Sequence, residues 1–224
     1  MDDKNNTYKF SPSSLSLLSD CPRCFWLSYR KGIDRPSGPF PSLPSGMDRI
    51  LKIHFDSFRD KGQLPPELAE LKGSVRLFDD AELLEAWRSN FKGVRWTDKH
   101  GNLLKGAVDN ILQKGGKLIV LDYKTRGYPL KKDTAGHYQD QLDIYNFLLR
   151  KNGYTTENYA YLLFYYPDKV NKNGTVAFHT DLIKMKTNTD NAERILRHAL
   201  RVLKGRMPAP DKECGYCKWG QSYE

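Results

Sequence analysis

The sequence predicts an α/β fold, a mixed central sheet flanked by helices. Three features point there: apolar residues at helical spacing before residue 60 and after residue 133, paired apolar runs around a double glycine over 103–124, and an almost wholly apolar segment at 159–166. A strand covered on both faces reads like that last segment. With 224 residues the chain can build a substantial core, and one domain over 1–224 is expected. Its 39% hydrophobic and 12% aromatic content excludes a wholly disordered chain. No apolar run approaches the roughly 18 residues needed to cross a bilayer, so no membrane partner is expected. Residues 1–6 are polar and unlike a secretory signal, which makes the cytoplasm the expected location. The formal charge of +9 favours a polyanionic partner.

Each element has a local cause. Ser11, Pro12, Ser13 and Ser14 suit a helix start, and the helix through Leu15, Leu17 and Leu18 is expected to end near Cys21-Pro22. Four prolines and three serines make 35–46 an irregular strap. Met47, Ile50, Leu51, His54 and Phe58 recur at helical spacing over 47–59, with Gly62 as a stop. A further helix is expected over 79–90 and a β-hairpin over 103–124. Asp133 or Thr134 would cap a long helix reaching Lys151. Beyond the strand at 159–166, a turn at 171–174 leads to a strand at 175–183. Asp190 would cap a last helix over 191–204.

The hairpin carries the chemistry. With Gly115-Gly116 as a two-residue turn, residues whose numbers sum to 231 lie opposite one another, and Asp109 faces Asp122. Their Cβ atoms would stand about 4.5–5.5 Å apart. The two-residue period places Lys124 on that same face and turns Tyr123 away. Like charges so opposed need a neutralising partner, and carboxylates with an open coordination sphere suit a hard cation such as Mg²⁺ or Mn²⁺. A lysine beside such an ion can act on a water or stabilise charge on a phosphoryl group, so the pattern points to metal-assisted phosphodiester hydrolysis.

Gly106-x-x-Asp109, an apolar run and Asp122-x-Lys124 resemble the PD-(D/E)XK nuclease superfamily. Gln141 and Tyr145, four residues apart on one helical face and following the hairpin, resemble the Q-x-x-x-Y motif of its RecB-like branch. The resemblance implies a restriction-endonuclease-like core centred on 103–183 and a metal-dependent DNA nuclease acting as an exonuclease on single-stranded ends. It implies that Asp109 and Asp122 hold the ion, that the Tyr123 carbonyl and His54 are further ligands, and that Lys124 acts on the attacking water. Gln141 and Tyr145 would place the DNA strand. Arg126, Lys131 and Lys132, just beyond the D-x-K strand, sit where phosphates would pass.

Two C-x2-C pairs, Cys21/Cys24 and Cys214/Cys217, read as metal ligands in a reducing compartment. The start of the chain resembles the cluster-containing RecB-like exonucleases, both the CRISPR-associated and the AddB type. That resemblance implies a 4Fe-4S cluster stapling 1–34 to 205–224; zinc is the alternative, because those relatives place one cysteine early and three late. A helicase or CRISPR-adaptation proteins are the partners it implies. The rival readings are a non-cleaving DNA-binding or CRISPR-adaptation subunit and a zinc-stabilised scaffold.

Overall fold

A computed structural model of the chain describes residues 7–221. The first helix, α1 (Pro12–Asp20), starts on a capping box in which Ser11 and Ser14 each accept from the other's backbone amide. Cys21 ends it and also caps α2 (Pro22–Lys31), its Sγ accepting from Cys24 N at 3.4 Å. The aromatic run at 25–29 is thus helical, and Phe25 is fully buried between Phe10 and Tyr29. The strap is shorter than its prolines suggest. Helix α3 (Ser42–Arg59) takes in its last five residues, because Pro44 falls in the first turn, where an N–H has no helical partner to lose.

Two sheets follow. A small one has the order β1-β4-β3, from β1 (Lys9–Phe10), β3 (Val94–Thr97) and β4 (Leu103–Gly106). The larger one has the order β2-β5-β6-β7-β8, from β2 (Arg76–Leu77), β5 (Asn110–Lys114), β6 (Lys117–Thr125), β7 (Tyr159–Val170) and β8 (Val176–Lys186). Neighbours in it are antiparallel except β6 and β7, which are parallel and joined through helix α5 (Gln139–Lys151). That crossover lays α5 across β6. The remaining helices are α4 (Ala81–Arg88), α6 (Thr189–Lys204) and α7 (Gly215–Gln221). Helices flanking mixed sheets make the fold α/β, consistent with a PD-(D/E)XK core.

The expected hairpin over 103–124 is two structures. Residues 103–106 pair in the small sheet, and the hairpin proper begins at Asn110. Between them Val108 N donates to Trp87 O, which takes the chain out of the ladder. The turn itself is as expected: Gly115 and Gly116 have φ of 52° and 81°, the left-handed pair a two-residue hairpin turn requires. Two caps also differ. Thr134 opens a 3-10 turn (Thr134–Tyr138) instead of the helix, and Asn188 rather than Asp190 caps α6, its Oδ1 accepting from two amides.

Alternation along β6 divides the core. Leu118 and Val120 join the cluster under α1, α2, α5 and α6, whereas Ile119, Leu121 and Tyr123 join the cluster under α3. Asp122 and Lys124 therefore face α5.

Candidate active site

The ladder sum of 231 runs from Lys114↔Lys117 to Asn110↔Leu121, and Asp109 lies one residue beyond it, in a bend. Its carboxylate still reaches back to β6, where Oδ2 accepts from Tyr123 N at 2.9 Å. Asp122 is 1% exposed. Burial and the facing Asp122 charge push Asp109 up to about 7. Burial likewise raises Asp122, with Lys124 pulling the other way.

Lys124 Nζ stands 2.5 Å from Asp122 Oδ2, a close ion pair between two side chains largely withdrawn from water. Burial alone would lower Lys124; the Asp122 carboxylate outweighs it and holds the lysine above its ordinary value, fully charged. Lys124 Nζ also donates to Gln141 Oε1 at 3.0 Å and lies 4.5 Å from the centre of the Tyr138 ring.

From α5, Gln141 Nε2 donates to Tyr145 Oη at 2.8 Å and reaches Asp122 Oδ1 at 3.3 Å. Burial keeps the Tyr145 phenol protonated, its pKa well above the usual tyrosine range. Asp109, Asp122, Lys124, Gln141 and Tyr145 thus form one connected polar group. Gln141 and Tyr145 also line a cleft of about 780 Å³, whose far wall is the serine face of α1 with Ser13, Ser16 and Ser19. Arg126, Lys131 and Lys132 lie on the loop leaving β6. Arg126 is half-buried and its Nε has no hydrogen-bond partner among the described residues, while the two lysines are exposed.

His54 is not brought to the acids. Its Nε2 lies 3.1–3.2 Å from the Glu67 carboxylate, and its ring packs edge-on against Phe55 and Phe58. The physical reason is the rotation of α3. Met47, Leu51 and Phe55 make its buried stripe, and residues 52 and 54, about 200° apart around the helix, fall on opposite flanks. Lys52 takes the place expected of His54, with Nζ 3.5 Å from Asp109 Oδ1 and 2.8 Å from Asp48 Oδ2.

An ion pair between a buried arginine and a partly exposed acid sets that rotation. Arg88 of α4 holds Asp56 of α3 through both guanidinium nitrogens, at 2.7 and 3.0 Å, and its Nε donates to Asp109 O at 2.8 Å. Arg59 donates to Asn110 Oδ1, and Asn110 Nδ2 donates to Tyr123 Oη. Sequence reasoning missed Asp48, Lys52, Asp56 and Arg88. Asp48 and Lys52 carry a local signal, an acid and an amine four apart on one helical face.

The chemistry of this donor set fits a divalent cation. Burial raises both carboxylates and the facing Asp122 charge raises Asp109 further, and two acids brought together out of water favour a shared cation.

The four cysteines form a second group. All are buried, and their sulfurs lie within 4.8 Å of one another, with Cys21–Cys217 at 3.6 Å and Cys24–Cys214 at 3.7 Å. Four thiols so disposed can hold metal.

A mixed sheet carrying two acids and a lysine on one strand-turn-strand unit, with a polar helix laid over them, defines a nuclease-type α/β protein. A model of the PD-(D/E)XK nuclease superfamily matches residues 9–222, and the chain belongs to that superfamily. No curated protein matches the chain.

Proposed function

We propose that this chain is a Mg²⁺- or Mn²⁺-dependent deoxyribonuclease of the RecB-like branch. The observation that carries the reading is the Asp122 carboxylate: buried, facing Asp109, and paired with a charged lysine on the same strand face. A divalent ion held by Asp109 and Asp122, with the Tyr123 carbonyl as a further ligand, would polarise the phosphate and lower the pKa of a bound water.

The chain's own residues do the rest. Lys124 stays protonated, so it orients the attacking water and stabilises the charge that develops on the phosphoryl oxygens. Gln141 fixes that ammonium through its Oε1 and the Tyr145 hydroxyl through its Nε2, leaving the phenol O–H as a donor to phosphate. Arg126, Lys131 and Lys132 guide the backbone. The cleft beside Gln141 and Tyr145, polar and about 780 Å³ in volume, has room for a few nucleotides of one strand. It supports exonucleolytic attack on single-stranded ends.

The test is cleavage of end-labelled single-stranded and duplex DNA with Mg²⁺ or Mn²⁺. Cleavage is expected for the wild type and its loss, by 10²–10⁴-fold, in Lys124→Ala, with Asp122→Ala inactive. Intact DNA with folded wild-type protein, or equal cleavage by Asp122→Ala, would overturn the proposal.

A further inference from the structure

The cysteine group lies apart from the acid pair and takes no part in the chemistry above. Its spacing discriminates between metals. A single tetrahedral ion with metal–sulfur bonds of about 2.3 Å sets its four sulfurs about 3.8 Å apart. A cubane binds each thiolate to a different iron, so its four sulfurs stand much further apart, roughly 6 Å. Here Cys21–Cys217 and Cys24–Cys214 stand 3.6 and 3.7 Å apart, and no sulfur is more than 4.8 Å from another. Four sulfurs placed this close match the corners around one ion and not those around a cubane.

The donors around the sulfurs agree. In each C-x2-C pair the first cysteine accepts from the backbone amide of the second: Cys24 N donates to Cys21 Sγ, and the Cys217 amide does the same for Cys214. Arg35, from the strap, points its guanidinium at Cys214 Sγ at 3.6 Å while stacking on Tyr216. Four thiolates around one divalent ion leave a net charge of −2, and one guanidinium with two amides offsets it from the surrounding shell.

We propose that the four cysteines hold one zinc ion, a redox-inert clip between the α1–α2 corner and α7, in place of the iron–sulfur cluster that the resemblance implies. The pairing of two early and two late cysteines suits such a site, in which each pair supplies two corners of a tetrahedron.

The test is metal and sulfide analysis of protein made in iron-supplemented cells and purified without oxygen, conditions under which a cluster would survive. About one zinc per chain, no acid-labile sulfide and no brown colour are expected. Replacing the zinc by Co²⁺ should then give the visible bands of a tetrahedral tetrathiolate site. Four irons with sulfide, a lone iron, or no bound metal would overturn the proposal. Cys24→Ser should lose the stoichiometric zinc; if that variant fails to fold, the wild-type content decides. The inference fails or holds independently of the nuclease reading, because inactive Asp122→Ala should carry the same zinc.

Discussion

Gly106 lies directly against the ring of Tyr145. A Cβ at that position would stand 2.7 Å from Cε1 and 2.9 Å from Cδ1, with Leu148 at 3.1 Å behind. The first glycine of the G-x-x-D stretch is therefore small because the tyrosine of α5 needs the space, not because of its own dihedrals. Gly106→Ala must displace a buried ring whose hydroxyl accepts from Gln141. The expected result is a stability loss of about 1–3 kcal/mol and a fall in turnover larger than that loss explains. Melting curves and single-turnover cleavage, measured on the same preparation, check it. Unchanged turnover in a destabilised protein would detach Tyr145 from the chemistry.

Asp56 stands between two arginines whose side chains are 5% and 6% exposed, Arg59 and Arg88, while it is itself 41% exposed. The two ends of this group should therefore respond unequally. Arg88→Ala leaves an acid that water can reach, and a cost of about 2 kcal/mol is expected. Asp56→Ala leaves two buried guanidiniums facing each other and should cost more, about 3–5 kcal/mol. Urea denaturation of both variants gives the order directly. The reverse order would mean that Arg88 matters mainly for its bond to the Asp109 carbonyl.

What the sequence revealed and what it hid have separate physical causes. Turn chemistry fixes register, so the double glycine was enough to set Asp122 near Asp109 and to put Lys124 on the same face. Spacing of four on a helix was enough to pair Gln141 with Tyr145. The rotation of α3 was not legible, since periodicity alone sets His54 nearer the apolar stripe than Lys52. Only the Asp56–Arg88 pair, 32 residues apart in sequence, chooses between them. β1 and β3, of two and four residues, are too short for a periodicity to register. Asp109 itself falls outside the ladder because Val108 is drawn to Trp87, a contact no local pattern signals.

The carboxyl pair makes the metal-free protein sensitive to pH. Asp109 rises from 3.8 to about 7 on folding, so in this interval the folded state binds more protons than the unfolded one. Stability contributed by the protonated group is fully present below pH 4 and is lost as pH climbs through 7. A loss on the order of 2 kcal/mol between pH 5 and 8 is expected, reduced from the full linkage value by the one-fifth of the side chain that remains in water. Melting temperatures of wild type and Asp109→Asn, compared without added divalent ions, isolate the effect: the difference between the two should change with pH. Added Mg²⁺ should restore wild-type stability at pH 8, where both acids can be ionised. A difference that stays flat across that range would show that folding does not raise the Asp109 carboxyl.

The two flanks of α3 give the sharpest comparison. Lys52 bridges Asp48 and Asp109, supplying positive charge to the acids that would hold the ion. His54 faces the other way, against Glu67 and Phe58. Lys52→Ala should therefore change the concentration of Mg²⁺ needed for half-maximal cleavage. Asp48→Asn should do the same, because it frees the ammonium to pair with Asp109 alone. His54→Gln keeps a hydrogen bond to Glu67 and should leave the metal requirement within about 2-fold of wild type, with a stability change under about 1 kcal/mol. Metal titrations of cleavage across the three variants settle which flank serves the ion. A strong shift in His54→Gln with none in Lys52→Ala would require α3 to turn by half a revolution when metal binds, and the Asp56–Arg88 pair would have to break for it to do so.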